Sequence, residues 1–476
     1  MKAFEFFKEI SEIPRPSGEE EKIADYLCEF ARARGLFCLR DKFNNVFIRR
    51  KASAGCENLP SVMLQSHTDM VCESEPGTAH DFTKDKLKLN IEDGRVRAEG
   101  TTLGADDGAG VAVMLDILDD KTLNAGEIEC LFTSSEETGM EGAFGFDYSV
   151  VRSERIINLD SEEELCACVG CAGGRRINAF VPVERIRSEG RQYSLRITGL
   201  TGGHSGTDIH LGRQSAIKIM GYLLDRLYSL YPFNIVSFTG GGRDNVIPFS
   251  AEAALAFYDD GDVGNARAEL SAYAEALKEI LCEDDKRNFS VSLRRCESEK
   301  TEMLTLKSTS AVISAVMLSP QGVTARTADG GIILASSNLG SLSLDSSLKL
   351  GYLLRSDSEL RTEQTARVIE RMAHALGGVS ETESSYPGWS FRQGGTLRQA
   401  YSRACGEVFG RKPSFTVIHA GLECGVISAR LRERGMQPDI ISIGPDVADV
   451  HTPKESMDIP SLERMGEIVR KILASI

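Results

Sequence analysis

Met63-Leu64-Gln65-Ser66-His67-Thr68-Asp69 is an apolar, strand-like run that ends in an imidazole and a carboxylate. The same pattern recurs along the chain. Leu131-Phe132-Thr133-Ser134-Ser135 leads into Glu136-Glu137, Ile156-Ile157-Asn158-Leu159 into Asp160, and Ile440-Ile441-Ser442-Ile443 runs on to His451. Between the first two runs, Gly104-Ala105-Asp106-Asp107-Gly108 opens a stretch that reads as a helix. Acids and imidazoles gathered beyond the carboxyl ends of buried strands are what a metal site with oxygen and nitrogen ligands needs. The pattern points to a metal-dependent hydrolase.

Outward from these runs, strands at 45–48, 61–65, 128–133 and 155–159 alternate with helical patterns, among them 108–118. Such alternation predicts an α/β layer structure with a mixed, mainly parallel sheet flanked by helices. Ser17-Gly18-Glu19-Glu20 has the spacing of a capping box, and Ile23, Tyr26, Leu27 and Phe30 follow at helical spacing up to Gly35. The middle of the chain differs, with a strand at 193–198, a helix at 215–228, further strand-like stretches and a helix at 269–281. The end returns to the earlier style, with a strand at 439–443 and then Leu462, Met465, Val469 and Ile472 on one helical face. A chain of 476 residues exceeds what one core usually serves. We therefore expect a discontinuous catalytic metal-binding domain, residues 1–186 and 376–476, with an inserted α+β lid domain at 187–375. No proline- or glycine-rich linker marks either junction, so both are set by shifts in composition.

Acidic residues outnumber basic ones 70 to 55, which argues against nucleic acid or an anionic membrane as a principal partner. Charges interrupt the apolar residues of Met1-Lys2-Ala3-Phe4-Glu5-Phe6-Phe7-Lys8-Glu9, unlike a signal peptide, and no apolar run approaches a membrane span. A cytoplasmic protein is expected. The twelve cysteines are scattered, unlike a secreted disulfide framework. Cys166-x-Cys168-x-x-Cys171 lacks the second pair that a closed thiolate zinc site uses, and reads as reduced cysteines along a strand and turn.

His67 and Asp69 are two apart, so on an extended strand end both point to one side. His67 can bind metal while Asp69 orients its ring. Glu136 and Glu137 are adjacent and diverge, so one can be a ligand while the other faces substrate as a general base. Asp106 could bridge two metals, with Asp160 and His451 completing the set. Two divalent ions would polarise a scissile carbonyl and lower the pKa of a bridging water, leaving one base to take its proton. Ligands without sulfur suit zinc, manganese or cobalt. Gly104-x-x-x-Gly108-x-Gly110 lacks dinucleotide spacing and the lysine of a phosphate loop, and its aspartates would repel phosphate.

Several motifs together carry a family resemblance: Leu64-Gln65-Ser66-His67-Thr68-Asp69-Met70-Val71, Gly100 to Gly108, Ser135-Glu136-Glu137-Thr138-Gly139-Met140, and Asn158-Leu159-Asp160-Ser161-Glu162-Glu163. With them stand Gly170-Cys171-Ala172-Gly173-Gly174, Gly202-Gly203-His204-Ser205-Gly206, His419-Ala420-Gly421-Leu422-Glu423-Cys424-Gly425, and Ser442-Ile443-Gly444-Pro445 before His451. They span nearly the whole chain. The sequence resembles the dinuclear zinc metallopeptidases related to aminoacylase and carboxypeptidase, and within them the aminoacyl-histidine dipeptidases, also called cytosolic non-specific or β-Ala-His dipeptidases. The resemblance implies hydrolysis of short unblocked dipeptides, including the Xaa-His and β-Ala-His type, with two metal ions, zinc first. It makes Asp106 the bridging ligand, His67 and Asp160 the ligands of one ion, and Glu137 and His451 those of the other. Glu136 would be the general base and Asp69 the carboxylate that fixes His67, and a cis peptide is expected between Asp106 and Asp107. His204 would be a lid histidine that stabilises the oxyanion, in its own subunit or across a dimer. Arg355 and Asn245 are candidates for the substrate's carboxylate, and Glu423 for its amino group. A homodimer through the lid domain is a further implication. The rival readings are an N-acyl-amino-acid amidohydrolase, a tripeptide aminopeptidase, and a non-catalytic binding protein of the same fold.

Overall fold

The four apolar runs lie side by side as parallel strands in the computed structural model, which describes residues 2–188, 190–296, 302–391 and 394–476. Val62–His67 is flanked by Ile128–Thr133 on one side and Arg155–Asn158 on the other, with Asp439–Ser442 beyond the latter. Every residue of Val62–His67 and of Ile128–Thr133 is buried. Burial on both faces is why these strands read as continuous apolar runs rather than alternating ones. The parallel pairing is confined to this centre. Val46–Arg50 adds antiparallel to Ile128–Thr133, Phe37–Arg40 adds outside it, and Cys166–Cys171 lies antiparallel beside Asp439–Ser442.

This sheet belongs to the first of two compact units, formed by Met1–Cys171, Trp389–Val417 and Leu422–Ile476. Its helix Ala105–Asp119 packs against the strand Val62–His67 and the helices Ala3–Ser11 and Ile459–Leu473. Val111, Val113, Met114, Leu115 and Ile117 are all buried, so the helix is apolar around its whole circumference. Each such side chain contributes roughly 1.5–3 kcal/mol by leaving water, which anchors the helix whose first turn carries Asp106.

The second unit, Ala172–Gly388 with Ile418–Gly421, is built on an antiparallel sheet. Its order is Ser290–Arg295, Arg191–Thr198, Ala251–Phe257, Phe233–Gly241, Ile333–Leu344, Ser347–Ser356, Gly173–Pro182 and Val379–Tyr386, and Gly322–Arg326 pairs with Ile333–Leu344. Alternate residues such as Ile177, Ala179 and Val181, or Leu195 and Ile197, enter one core with Leu223, Leu270, Val312 and Ile369 from its helices. Ala216–Leu230, Asp260–Lys278, Leu306–Leu318 and Glu359–Ala375 are those helices.

Three expectations need correction. The junctions read at 187 and 375 fall inside the second unit. Gly173–Pro182 is an interior strand of its sheet, paired on both sides with Ser347–Ser356 and Val379–Tyr386. The helix expected at 269–281 runs from Asp260 to Lys278 instead. Asp259 caps it through the Gly261 N–H, and a polar, glycine-containing start hid its period. Ser17 and Glu20 do not form a capping box, because the helix Glu21–Ala33 has no side-chain cap and both residues are engaged elsewhere. Among the described residues no helix is long and apolar enough to cross a membrane.

Candidate functional site

Because the central strands are parallel, His67, Glu136–Glu137, Asp160 and the segment leading to His451 all leave the sheet at the same edge. The helix that starts at Ala105 brings Asp106 to them. Asp106 and Asp107 lie outside helical geometry, and the peptide bond joining them is cis.

The two oxygens of Asp106 face two different imidazoles. Oδ1 lies 3.0 Å from His67 Nε2 and Oδ2 lies 3.0 Å from His451 Nε2. On the first side Asp160 Oδ1 is 3.7 Å from His67 Nε2, and on the second Glu137 Oε1 is 3.0 Å from His451 Nε2. Ligand atoms of His67, Asp106 and Glu137 all lie within 4.8 Å of one another. Glu136 and Glu137 open the short helix Glu136–Gly139, so their side chains diverge. Ser135, in the left-handed region at φ 51°, turns the chain sharply off its strand just before them.

Electrostatics show what this donor set lacks. Burial pushes the Glu136 carboxyl up to about 8, and the carboxylates of Glu423, Glu137 and Asp106 push it the same way against His67. Asp160 is also raised, by burial and then by Asp107, Asp106 and Glu136, against the pull of His67. His451 is raised to about 10 by its hydrogen bonds to Asp106 and Glu137. Carboxylates crowded this closely repel one another, and protonated imidazoles only partly relieve them. A divalent cation removes the conflict, and imidazole with carboxylate and no thiolate is a fitting ligand set for one.

Asp69 has a wider role than orienting one ring. His67 Nδ1 is 3.1 Å from the Asp69 carbonyl oxygen and 3.5 Å from its carboxylate. That carboxylate also accepts the backbone N–H groups of Glu136 and Glu137 and the hydroxyl of Ser17. Burial would raise Asp69, but His67, Ser17 and the Glu136 amide outweigh it and hold the carboxyl down at about 2.

Sequence reasoning missed three residues that hold the ligand loops. The Glu455 carboxylate, buried, accepts the N–H groups of Leu103, Gly104, Ala105 and Asp106 at 2.8 to 3.3 Å. Arg15, also buried, donates to the carbonyls of Thr68, Asp69 and Gly104 and so ties the His67 loop to the Asp106 loop. Glu20 accepts both the N–H and the hydroxyl of Ser135, which steadies the turn before Glu136. Arg15 and Glu455 carry no local sequence signal. The Ser17–Glu20 spacing was visible but pointed to a cap.

Glu423 is fully buried at the strand ends, where Gln65 and Thr133 donate to its Oε2 at 2.5 and 2.7 Å, and its Oε1 has no hydrogen-bond partner. Cys166, Cys168 and Cys171 lie on one strand, and among the described residues they form no metal-binding cluster.

The second unit holds His204, Asn245 and Arg355. The Thr207 N–H donates to His204 Nδ1 at 3.2 Å, which assigns the proton of the neutral ring to Nε2. Burial and the neighbouring Arg355 both lower the His204 pKa, so the neutral ring is favoured. Arg355 Nη2 stands 3.4 Å from that Nε2, two donors facing each other with no acceptor between them. Arg355 is buried, its Nε has no hydrogen-bond partner, and among the described residues no carboxylate pairs with it. The Asn245 carbonyl accepts the Ser205 N–H, and Val246 pairs with His204, so Asn245 borders the same turn.

The sequence matches Peptidase family M20/M25/M40 over residues 63–475. It is 33% identical to the cytosol non-specific dipeptidase of Escherichia coli, over 99% of this chain and 97% of that one. The structure of aminoacylhistidine dipeptidase from Vibrio alginolyticus superposes with a TM-score of 0.92 at 31% identity, covering 100% of this chain and 96% of the other. Aminopeptidase PepT from Bacillus cereus shares the fold at a TM-score of 0.57 and 18% identity, covering 99% and 97%. With strand-end acids and imidazoles arranged around Asp106, and a match that spans most of its length, the chain belongs to peptidase family M20/M25/M40.

Proposed function

We propose that the protein is a cytoplasmic metal-dependent dipeptidase that hydrolyses unblocked dipeptides, the Xaa-His and β-Ala-His type among them. The observation that carries this reading is the Asp106 carboxylate, whose two oxygens each face a separate imidazole–carboxylate pair. Asp106 would bridge two ions, His67 and Asp160 completing one coordination set and His451 and Glu137 the other. Zinc is the first choice, with manganese and cobalt accepted by the same donors. When bound, the ions supply Lewis-acid polarisation of the scissile carbonyl and lower the pKa of a water molecule.

The rest is done by the chain itself. Glu136 takes the proton from the attacking water and returns it to the leaving amine, the two halves of general base and general acid catalysis. Asp69 fixes the His67 ring and the Glu136–Glu137 turn together. His204, neutral with its proton on Nε2, donates to the developing oxyanion. Arg355 is a buried cation without a counter-charge, which is costly unless a ligand supplies one, and a dipeptide's free carboxylate does so. Asn245, which borders the His204 turn, would be a further donor to that group. The Escherichia coli and Vibrio alginolyticus relatives, matched over nearly their whole length, are named as dipeptidases, which supports the same substrate class. Pairing of two chains through the second unit is part of this reading, the strand Ser290–Arg295 ending its sheet with no further strand paired to it among the described residues.

The test is an assay of zinc- or manganese-supplemented enzyme on Ala-His, β-Ala-His and N-acetyl-Ala. Cleavage of the free dipeptides alone is expected. Preference for the acylated amino acid would move the protein to the amidohydrolases, and cleavage of none would favour a binding role. Replacing His204 by Ala should lower kcat by roughly 10²–10³-fold, the usual effect of removing one oxyanion donor. Unchanged kcat would leave His204 as a turn residue.

A further inference from the structure

Two motifs of the sequence, Gly170-Cys171-Ala172-Gly173-Gly174 and His419-Ala420-Gly421, have no part in the chemistry above. Within the second unit they meet at one side chain, the ring of Tyr386. A Cβ placed on Gly174 would overlap the Tyr386 ring at Cζ and Oη, and one placed on Gly421 would stand 2.8 Å from Cε2. Any side chain at either position would displace the ring. Register supports the first contact, since Tyr386 is the antiparallel partner of Gly174 and Gly174 is also that of Arg355. Tyr386 and Arg355 therefore stand on the two strands that flank Gly174, and the missing side chain between them lets them touch.

They do touch. Arg355 Nη1 donates to Tyr386 Oη at 2.9 Å. The phenol oxygen acts as acceptor in that bond, so its own O–H is left to donate. Among the described residues Arg355 has no ion pair, and the two imidazoles near it are uncharged or donors. His204 presents Nε2–H, and His419, whose Nε2 lies 2.7 Å from Ser336 Oγ, is held well down at about 3 by burial and by Arg355. Among the described residues, Arg355, His204 and Tyr386 thus offer donors with no acceptor to receive them, around a buried positive charge that no acid balances.

We propose that Tyr386, seated in the slot between Gly174 and Gly421, is a substrate-binding residue whose hydroxyl donates to the same substrate carboxylate that Arg355 pairs with. The guanidinium supplies charge, and the phenol supplies a second donor direction. Its bond from Arg355 Nη1 also fixes how the guanidinium faces the ligand. The inference rests on the reading of Arg355 as the carboxylate site, and it explains two glycine motifs that no catalytic role requires.

The experiment compares Tyr386→Phe, Arg355→Ala and the unmodified enzyme on Ala-Ala and on Ala-Ala amide, which lacks the carboxylate. Phenylalanine fills the same slot, so the fold is preserved. Tyr386→Phe is expected to raise KM for Ala-Ala and lower kcat/KM by roughly 10-fold to 100-fold, the loss of one hydrogen bond to a charged group, with kcat little changed. Its kcat/KM for the amide, which offers only an uncharged carbonyl acceptor, should fall by clearly less. Equal losses on both substrates, or none on either, would overturn the role given to Tyr386. Arg355→Ala should abolish discrimination between acid and amide. If it does so while Tyr386→Phe discriminates normally, only the Tyr386 inference falls. If Arg355→Ala discriminates normally, the carboxylate site lies elsewhere and both fall.

Discussion

Glu136→Gln should lower kcat by roughly 10³–10⁴-fold, the upper range for general acid–base catalysis, because in the proposed mechanism one carboxyl both accepts the water's proton and returns it to the amine. The side chain keeps its shape, so metal content and KM should be close to normal. Retained turnover would exclude Glu136 as the base. A second readout separates this role from a structural one. Glu136 is raised to about 8 against an ordinary 4.5, so folding favours its protonated form. A carboxyl raised in this way costs stability once ionised, progressively as pH climbs from about 4.5 to about 8. The amide never ionises. Metal-free Glu136→Gln should therefore melt at a higher temperature than the metal-free unmodified protein at pH 8, and at the same temperature near pH 4. A lower melting temperature at pH 8 would mean that the carboxylate stabilises the site.

Such crowding is the physical reason the site was visible in the sequence. Burying a carboxylate is costly, and an apolar run that stops at an acid or imidazole marks a place where the chain accepts that cost. Val62–His67, Ile128–Thr133 and Arg155–Asn158 could be read for this reason, and so could the apolar stretch Val111–Leu115 of the helix Ala105–Asp119. What escaped is of another kind. Glu455 meets backbone amides about 350 residues away in the chain, and any backbone looks alike in sequence. Arg15 acts on carbonyls in the same anonymous way. Ser17 and Glu20 matched a local pattern, but tertiary partners Asp69 and Ser135 claimed their side chains. Glu423 shows a further limit, since its motif gave no sign that the carboxylate is fully buried and receives Gln65 and Thr133 at Oε2. The unit boundaries escaped because Gly173–Pro182 passes into the second sheet without a linker.

The same distinction gives the second large effect. Glu455→Ala should lower kcat/KM at trace metal by roughly 10³-fold or more, since a carboxylate that serves four buried N–H groups leaves all of them without an acceptor, at about 1–3 kcal/mol each. The Leu103–Asp106 backbone cannot keep its path against that cost, and Asp106 carries the two oxygens that face His67 and His451. The loss should therefore appear first as weakened metal binding. Excess zinc should recover part of the activity, and a chelator concentration that spares the unmodified enzyme should silence the variant. Complete chelation should abolish the activity of both. Glu455→Gln keeps one carbonyl oxygen but turns an amide N–H₂ toward backbone donors, so it should fall between the two. Normal zinc affinity with low kcat would place the effect on catalysis rather than on the ligand loop. Normal affinity and normal kcat together would mean that the loop holds its shape without Glu455.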